Sequence, residues 1–379
     1  MERRAIFIHS EALDVGGYPR ECLFDSRRAG RTLETARSLG LLDSRSTSTA
    51  MPMTATREVL ERFHRPEYLE VLRRAGHGDH DFRALKMGLG TPDCPLFPDM
   101  YEYLSLAVGG TLTGAGALLD GTADVAFNPS GGFHHAAPDS AAGFCYLNDV
   151  VLACEHLADA GKRVLVIDVD AHHGDRVQQA FYDRNDVVTV SMHESGTTLF
   201  PGTGFPYELG EGRGRGANIN VPLPVGTYDA IYYTVFKKLV LPVAKAVNPD
   251  VVVLELGMDS LAGDPLAHLN LTDNCYADIV ADVVALEKPI LAVGGGGYNA
   301  GATVRGWTLA WQILSRGPDS GFPVNAGLGG VMPENTDWFG GLRNRTLLSH
   351  GGYRKAVDRE IRETINHLKE QVFPLHSLE

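Results

Sequence analysis

The chain has 379 residues, 44% of them hydrophobic, and a formal net charge of −13 at pH 7. This hydrophobic content supports a large core, and α/β folds with one continuous sheet often reach this length, so we expect one domain over residues 1–379. Because phosphate neutralisation needs clustered Lys and Arg, the acidic balance argues against a dedicated nucleic-acid-binding protein. It would suit a cationic substrate, although acidity is also an ordinary solubility trait.

Short apolar runs rich in Val and Ile alternate with helical patterns along the chain, which is typical of an α/β protein with a mostly parallel sheet and helices on both faces. The predicted strands are residues 5–10, 123–128, 163–170, 187–193, 217–223, 250–257 and 289–295. The predicted helices are residues 29–40, 57–75, 101–119, 147–160, 228–247, 273–286 and 301–315. Pro242 should kink or end the helix in which it lies.

Residues 316–352 are rich in Gly, Asn and Pro and predict long ordered loops before a final amphipathic helix at 353–371. The five cysteines are widely spaced without a Cys-x-x-Cys pair, which is typical of a reducing compartment. The start of the chain has too few apolar residues for a signal peptide, and no run approaches the roughly 18 that span a bilayer. We therefore expect a cytoplasmic protein without a membrane segment.

Polar and glycine clusters follow four of the predicted strands, where ligands bind in open α/β sheets. Asp168, Asp170 and His172 would share one face of an extended segment. Asp170 and His172 then form a two-residue clamp for a divalent ion, and Asp259 could supply the third ligand, leaving a coordination position for water. Each pattern alone also fits a surface turn, but burying such groups without partners costs several kcal/mol, which favours a metal site.

Two neighbouring histidines, His134 and His135, follow a pair of glycines. One could take a proton from water while the other stabilises or protonates the leaving group, and the alternative is two surface histidines. Each would need a carboxylate to fix its tautomer, and Asp168 and Asp175 are available for this.

The run GGGGY at 294–298 formally matches a dinucleotide fingerprint, but no further strand-helix-strand unit accompanies it. A better interpretation is that the glycines lower the backbone so that Tyr298 aims its hydroxyl into a pocket, where it could hold an oxyanion.

With these clusters in this order, the sequence resembles the zinc-dependent histone deacetylase family, including bacterial acetoin-utilisation proteins and acetylpolyamine amidohydrolases. The resemblance runs from about Asp93 to Trp311 and is closest to the class I branch. The motifs that carry it are DCPLFPDMYEY, GGFHHA, GFCYLNDVVLA, VIDVDAHHGDRVQQAFY, LFPGTG, GDPLAHLNLT and LAVGGGGY. It implies an arginase/deacetylase-like fold and an enzyme that hydrolyses acetyl or other short acyl groups from the ε-amine of lysine in peptides or proteins.

The resemblance also implies a role for individual residues. It makes Asp170, His172 and Asp259 the ligands of one zinc ion per chain. The implied catalytic residues are His135 as general base with Asp175, His134 as electrostatic partner or acid with Asp168, and Tyr298 as the carbonyl-polarising hydroxyl. The implied substrate-binding residues are Asp93 at the rim, Gly143, Phe144, Phe200 and Leu266 along a tunnel, and Arg28 and Cys145 at its foot. The implied potassium site uses the carbonyls of Asp168, Asp170, His172 and Met192 with the Ser191 hydroxyl.

Three residues depart from the family pattern. Arg176 stands where glycine is usual, Met258 replaces a small residue before Asp259, and Glu194 lies in a loop that is often basic, where it could alter rim preference. None of them removes an implied catalytic group. His173 has no implied catalytic role and is interpreted as structural.

Other functions stay open on the sequence alone. The same residues would serve an acetylpolyamine deacetylase. A binuclear manganese ureohydrolase has a similar sheet, but it normally needs a second Asp-x-Asp cluster, and GMDSLAGD offers one well-placed carboxylate. A non-catalytic module that binds acyl-lysine is disfavoured because every implied catalytic position is filled.

Overall fold

The computed structural model describes residues 3–79, 81–317, 342 and 352–379. Within these ranges eight strands form one parallel sheet in the order β2-β1-β3-β8-β7-β4-β5-β6. The strands are β1 (Ala5–Ile8), β2 (Thr47–Ala50), β3 (Val125–Asn128), β4 (Val164–Asp168), β5 (Val187–Glu194), β6 (Asn218–Leu223), β7 (Val251–Glu255) and β8 (Ile290–Val293). The expected mostly parallel sheet is thus confirmed.

Helices connect these strands and cover the sheet. They are α1 (Ala12–Val15), α2 (Arg28–Ser38), α3 (Arg57–Leu60), α4 (Pro66–Gly76), α5 (Phe82–Lys86), α6 (Met100–Leu119), α7 (Asp149–Asp159), α8 (Asp175–Phe181), α9 (Asp229–Val235), α10 (Leu241–Val247), α11 (Asp273–Val284), α12 (Ala300–Arg316) and α13 (Gly352–Val372). A π-helical turn, Phe236–Val240, joins α9 to α10, and short 3₁₀ turns lie at Gly212–Gly214 and Phe373–His376.

The alternation of side chains along β4 explains the helical layers on both faces. Val164 and Val166 pack in a core with residues of α6 and α7, whereas Leu165 and Ile167 pack in another core with residues of α11 and α12. Because neighbouring side chains of a strand point to opposite faces, a central strand that is apolar throughout needs cover on both.

The structure corrects several predicted boundaries. The sequence TSTA of β2 was not predicted as a strand, since it has no apolar alternation and becomes a strand by pairing with β1. The single helix predicted at 57–75 is two helices, and Pro66 occupies the first turn of the second. The helix predicted at 228–247 does not end at Pro242, because the π-helical turn before it continues into α10 with proline in the first turn.

At the C-terminus, α13 closely matches the helix predicted at 353–371 and contacts β6, the last strand of the sheet. Most of the loop predicted at 316–352 lies outside the described residues. Among the helices that are described, none is both long and apolar enough to cross a bilayer. All five cysteines lie in the described ranges and are unpaired.

Candidate active site

Five strands bring polar segments together at the carboxyl edge of the sheet. The segments that follow β3, β4, β5, β7 and β8 carry the histidine pair, the Asp-x-His element, Phe200, Asp259 and Tyr298. Register fixes their relative heights, because Asp168 of β4 lies opposite Ser191 of β5 and Glu255 of β7. His134 and Tyr298, 164 positions apart in sequence, thereby reach one site, as the strand-end argument predicts.

The predicted metal ligands lie together and are buried. Ligand atoms of Asp170, His172 and Asp259 all fall within 4.8 Å of one another. The Nδ1 atom of His172 is 2.8 Å from Asp259 Oδ2 and 3.1 Å from Asp170 Oδ1. Backbone N–H groups fix both carboxylates, since Gly296 donates to Asp170 at 2.7 Å and Ala171 donates to Asp259 at 2.7 Å.

The electrostatics of this group fit a divalent cation. Burial alone would lower the pKa of His172, but its bonds to Asp170 and Asp259 raise that pKa to about 10. Burial and the Asp170 charge raise the pKa of Asp259, which His172 only partly offsets. Two buried carboxylates held around one imidazole nitrogen form an N/O donor set that is typical of zinc and similar ions.

A glycine makes room for one of these carboxylates. A Cβ atom on Gly296 would lie 2.1 Å from Asp259 Oδ2 and 2.9 Å from Asp170 Oδ2. Such contacts are far shorter than van der Waals separation, so any side chain at position 296 would displace Asp259. The run GGGGY therefore allows the backbone to approach the carboxylates of the candidate metal ligands closely.

The two histidines form a hydrogen-bonded pair, each supported by its expected carboxylate. His134 Nδ1 lies 2.9 Å from Asp168 Oδ2, and His135 Nδ1 lies 2.8 Å from Asp175 Oδ1. The two Nε2 atoms are 3.0 Å apart. With both Nδ1 atoms donating to carboxylates, one Nε2 must donate to the other, so the pair holds one proton between the rings.

The pKa values of the pair are shifted in opposite directions. Burial would lower the pKa of His134, but Glu255 and Asp168 raise it well above the ordinary value. Burial and the adjacent His134 charge lower the pKa of His135 to about 3, although Asp175 opposes this. His134 is therefore the protonated ring and donates to a neutral His135.

Glu255 is a site residue that the sequence reasoning missed. It is fully buried, and its Oε1 lies 2.9 Å from His134 Nδ1 without the alignment of a hydrogen bond. Burial and the neighbouring Asp168 raise its pKa well above the ordinary value. The signal was a glutamate inside the apolar run DVVVLELG, but its importance depends on the register that sets it beside Asp168.

Tyr298, in the segment that follows β8, lies beside the candidate metal ligands. Its ring centroid lies 6.3 Å from that of His172 and 5.3 Å from that of Phe144. Burial, with the charges of Asp259 and Asp170, raises the pKa of the phenol well above its ordinary value. The hydroxyl is thus held protonated and available as a hydrogen-bond donor.

A cavity of about 460 Å³ leads from the surface to these groups. It is lined by Glu21, Cys22, Leu23, Pro92, Asp93, His135, Gly143, Phe144, His172, Leu199, Phe200, Leu266 and Tyr298. All the residues predicted for the rim and walls are in this set. The segment Glu21–Leu23 was not predicted, and no local motif marks it.

Left-handed backbone shapes one wall of the cavity. Gly143 and Phe144 have φ of 53° and 64°, and a Cβ on Gly143 would lie 2.7 Å from the His135 ring. The Asp93 side chain accepts a hydrogen bond from the Gly143 backbone at 2.8 Å. Asp93 therefore lines the cavity and also holds this wall in place.

The two residues predicted at the foot of the tunnel do not line this cavity. Arg28 is buried and donates to the carbonyls of Gly297 and Gly295 at 2.5 and 3.0 Å, so it supports the glycine run that precedes Tyr298. The Cys145 thiol donates to the Gly143 carbonyl at 3.3 Å. A role for either residue at the foot of an acyl pocket stays a prediction.

The residues predicted to bind potassium lie at the adjoining ends of β4 and β5. Asp168 and Ser191 are register partners, and the Asp168 carboxylate accepts from the backbone of Asp170 at 3.0 Å. The Ser191 hydroxyl is 2.8 Å from His193 Nδ1, and Tyr232 donates to the Met192 carbonyl at 3.4 Å. His172 follows two residues after Asp170. A potassium ion among these groups stays a prediction.

The departures from the family pattern have definite surroundings. Arg176 pairs with Asp175, Nε to Oδ2, at 3.0 Å, so it adds a positive charge beside the carboxylate that orients His135. Met258 is buried, with its Sδ atom 2.7 Å from where a Cβ on Gly306 would lie, so it fills the space above that glycine.

His173 is buried with its Nδ1 2.8 Å from Thr203 Oγ1, in keeping with a structural role.

Glu194 was expected to alter the rim of the cavity, but it is not among the residues that line the cavity. Its side chain is fully buried, and it bonds to Thr198 and His268.

Comparison with known proteins places these features in a family. A family model described as the histone deacetylase domain matches residues 23–314. The chain is 39% identical over 290 residues to histone deacetylase 8 of Xenopus tropicalis, covering 76% of this chain and 78% of the relative. It is 37% identical over 330 residues to the acetoin utilization protein AcuC of Bacillus subtilis, covering 85% and 84%.

Solved structures agree with the sequence comparison. A histone deacetylase homologue from Aquifex aeolicus superposes with a TM-score of 0.84 at 32% identity, covering 97% of this chain and all of that one. A homologue in complex with SAHA superposes with a TM-score of 0.83 at 31% identity over the same shares. Members of this family are zinc-dependent deacetylases, and a buried His/Asp/Asp group suited to such an ion is present here. The chain is a deacetylase of the histone deacetylase family.

Proposed function

We propose that this deacetylase hydrolyses the side-chain amide of acetyl-lysine, or of lysine carrying another short acyl group, in peptides or proteins. One observation carries the proposal: an apolar cavity with Phe144, Phe200 and Leu266 in its walls leads to the polar groups His135 and Tyr298. Apolar walls suit the methylene stem of an acyl-lysine, and the polar end suits its amide.

Zinc is proposed to bind at Asp170, His172 and Asp259, with one ion per chain. Bound there, it would act as a Lewis acid toward the amide carbonyl and lower the pKa of a water molecule. A binuclear manganese site is disfavoured because Asp264, the next carboxylate of that segment, does not belong to the buried group of Asp170, His172 and Asp259, whose ligand atoms fall within 4.8 Å of one another. Metal analysis of the purified protein tests the assignment, since two manganese ions per chain would overturn it.

The side chains around the metal site supply proton transfer and stabilisation of the oxyanion. Neutral His135 takes the proton of the attacking water, and the Tyr298 hydroxyl donates a hydrogen bond to the carbonyl oxygen as negative charge develops there. The carbon–oxygen bond forms first. The carbon–nitrogen bond then breaks as the protonated His134 and His135 pair delivers a proton to the departing amine. Asp168 and Asp175 fix the ring tautomers throughout.

Potassium is proposed as a second ion, held by the carbonyls of Asp168, Asp170, His172 and Met192 with the Ser191 hydroxyl. A cation beneath the site would shift the acid-base pairs electrostatically. Activity that is unchanged when potassium is replaced by a large organic cation would argue against this site.

An acetylpolyamine is the second candidate substrate. Glu21 and Asp93 both line the cavity, and the net charge of −13 would attract a cationic substrate. A peptide substrate would instead use Asp93 to accept hydrogen bonds from its backbone amides. The two substrates therefore differ in how they depend on Asp93.

A substrate panel tests the choice. We expect higher kcat/KM for acetyl-lysine peptides than for acetylpolyamines, and longer acyl and lactyl peptides establish the acyl preference. Asp93→Asn should raise KM about tenfold for the peptide but little for free acetyl-lysine, which lacks flanking amides. Asp79→Asn, at an exposed position outside the cavity, is the matched control. Higher kcat/KM for the acetylpolyamines would overturn the lysine assignment.

A further inference from the structure

Two segments contribute side chains to the cavity wall. The first, residues 195–204, follows β5 and carries Leu199 and Phe200, and we call it the Phe200 loop. The second, residues 260–271, follows the candidate ligand Asp259 and carries Leu266, and we call it the Leu266 loop. Phe200 is 48% exposed, and its ring contacts the rings of His135 and His172 at centroid distances of 5.0 and 6.4 Å. The separation of the two loops depends on what ties them together.

The carboxylate of Glu194 ties them directly. Its Oε1 lies 3.0 Å from the Thr198 hydroxyl of the Phe200 loop, and the Ser195 carbonyl of the same loop, also at 3.0 Å, shares that donor. Its Oε2 accepts from the backbone N–H of His268 in the Leu266 loop at 2.8 Å, and its Oε1 lies 3.0 Å from His268 Nδ1. One carboxylate thus bridges a residue two positions from Phe200 and a residue two positions from Leu266.

Burial makes this bridge strong. The Glu194 side chain is fully buried, whereas the His268 side chain is 58% exposed. A buried carboxylate that loses a donor keeps its desolvation cost, so the bonds from His268 weigh more than exposed contacts of equal length. This geometry also explains why Glu194 does not contribute to the rim.

Hydrogen bonds to Asp264 and His268 also fix the Leu266 loop to the Tyr298 segment and to Gly226. Asp264 accepts from the Leu266 backbone at 2.9 Å and from the Tyr298 backbone at 2.8 Å. The backbone of His268 is fixed further by a bond from Gly226 at 2.8 Å. The Leu266 loop is thus anchored on the Tyr298 side, and the Glu194 bridge sets how closely the Phe200 loop approaches it.

We infer that Glu194 and His268 form a clamp that sets the width of the cavity between Phe200 and Leu266 and so determines which substrate stems it admits. Both are positioning residues, because neither lines the cavity. The inference rests on the proposed function for its kinetic consequences. The bonds that carry it are independent of that function.

His268→Ala is the test variant, because this exposed side chain can be removed without opening the core. Its KM for an acetyl-lysine peptide should rise about fivefold with kcat within about twofold, as expected for the loss of one hydrogen bond. Its preference for acetyl-lysine over a peptide with 4-(acetylaminomethyl)phenylalanine, whose ring is wider than a methylene stem, should fall about fivefold.

Two further variants sharpen the comparison. His268→Asn keeps an N–H donor near the Nδ1 position and should restore both wild-type values. His77→Ala removes another exposed histidine near a glutamate, Glu102 at 3.5 Å, and should change neither value. An asparagine variant that behaves like the alanine variant would overturn the clamp, as would a loss of kcat at constant KM.

Hydrogen exchange separates this inference from the proposed function. The amides of residues 195–204 should exchange about tenfold faster in His268→Ala than in the wild type or in His268→Asn, whatever the substrate is. Exchange that is equal in all three proteins would overturn the clamp even if acetyl-lysine is hydrolysed. A wild-type protein that does not hydrolyse acetyl-lysine peptides would instead overturn the proposed function alone.

Discussion

The Nε2 atoms of His134 and His135 lie 3.0 Å apart, which is hydrogen-bond distance. Burial and the His134 charge lower the pKa of His135 to about 3, whereas the pKa of His134 is raised by Glu255 and Asp168 against the effect of burial. The pair therefore combines a neutral ring that can accept a proton with a charged ring that can stabilise negative charge. This asymmetry is the basis for assigning the base role to His135.

Removing the base should nearly abolish turnover. We expect His135→Ala to lower kcat for an acetyl-lysine peptide about 10³-fold, because proton transfer by a positioned side chain contributes about 10² to 10⁴. His134→Ala should lower kcat less, since water can replace part of its charge stabilisation. His77→Ala, at an exposed position, is the control. Equal kcat for His135→Ala and the wild type would contradict the assignment.

Zinc binding should displace a proton. In the metal-free protein the bonds to Asp170 and Asp259, acting against burial, raise the pKa of His172 to about 10, so the imidazole is protonated at neutral pH. A ligand nitrogen must lose this proton, and burial with the Asp170 charge raises the pKa of Asp259 to about 7, so this carboxyl must also lose a proton below that pH. Zinc affinity should therefore rise with pH, at least about tenfold per unit between about pH 6 and 8. Competition with a chromophoric chelator measures this slope. An affinity independent of pH would count against His172 as a ligand.

Gly296→Ala should weaken the zinc site without replacing a proposed ligand. The added methyl would lie 2.1 Å from Asp259 Oδ2 and must displace that carboxylate. We expect zinc affinity to fall about 10- to 100-fold, the range found when the support of a metal ligand is lost. Gly301→Ala is a matched control, because its added methyl would meet its nearest neighbour only at 3.8 Å. Equal zinc affinity of the two variants would show that Asp259 is not held as described.

His64 should make the fold sensitive to acid. Burial lowers its pKa to about 4, and its Nδ1 lies 3.0 Å from the Ala137 carbonyl while its Nε2 accepts from the Asn148 backbone at 2.9 Å. The unfolded chain binds the proton near pH 6.5, so this stability is full above that pH and is lost as the pH falls toward 4.

Between about pH 6.5 and pH 4, this one group should lower the free energy of unfolding by about 3 kcal/mol. Urea unfolding of the wild type and of His64→Gln from neutral to acid pH measures it, because the variant lacks the titrating group. Parallel pH profiles for the two proteins would contradict this account of His64.

Local patterns were sufficient to predict most of the sheet and the groups at its edge. The run RVLVIDVD alternates between two buried faces, which identifies β4 as a central strand and places Asp170 and His172 at its carboxyl end. Asp259 was predicted to lie beside them from the family resemblance and from the tendency of ligands to bind at the carboxyl ends of parallel strands. The distances within this group then followed from parallel register.

Features that depend on non-local pairing could not be predicted. The strand TSTA is polar and short, and it pairs only because β1 lies beside it. From the sequence, Glu255 is only the polar end of an apolar strand. Its importance follows from the strand register, which places it opposite Asp168. The bond between His64 and Asn148 joins residues 84 positions apart, and the Glu194 clamp likewise depends on two loops meeting. Each of these contacts is set by tertiary packing rather than by any sequence motif.

The most direct test of the account is the kcat of Tyr298→Phe, measured with an acetyl-lysine peptide on protein of known zinc content. Removal of one oxyanion donor should lower kcat about 10²- to 10³-fold, with about one zinc per chain retained. Tyr207→Phe, which removes an exposed phenol outside the cavity, should leave kcat unchanged. Turnover by zinc-loaded Tyr298→Phe within about threefold of the wild type would contradict the proposed deacylase mechanism.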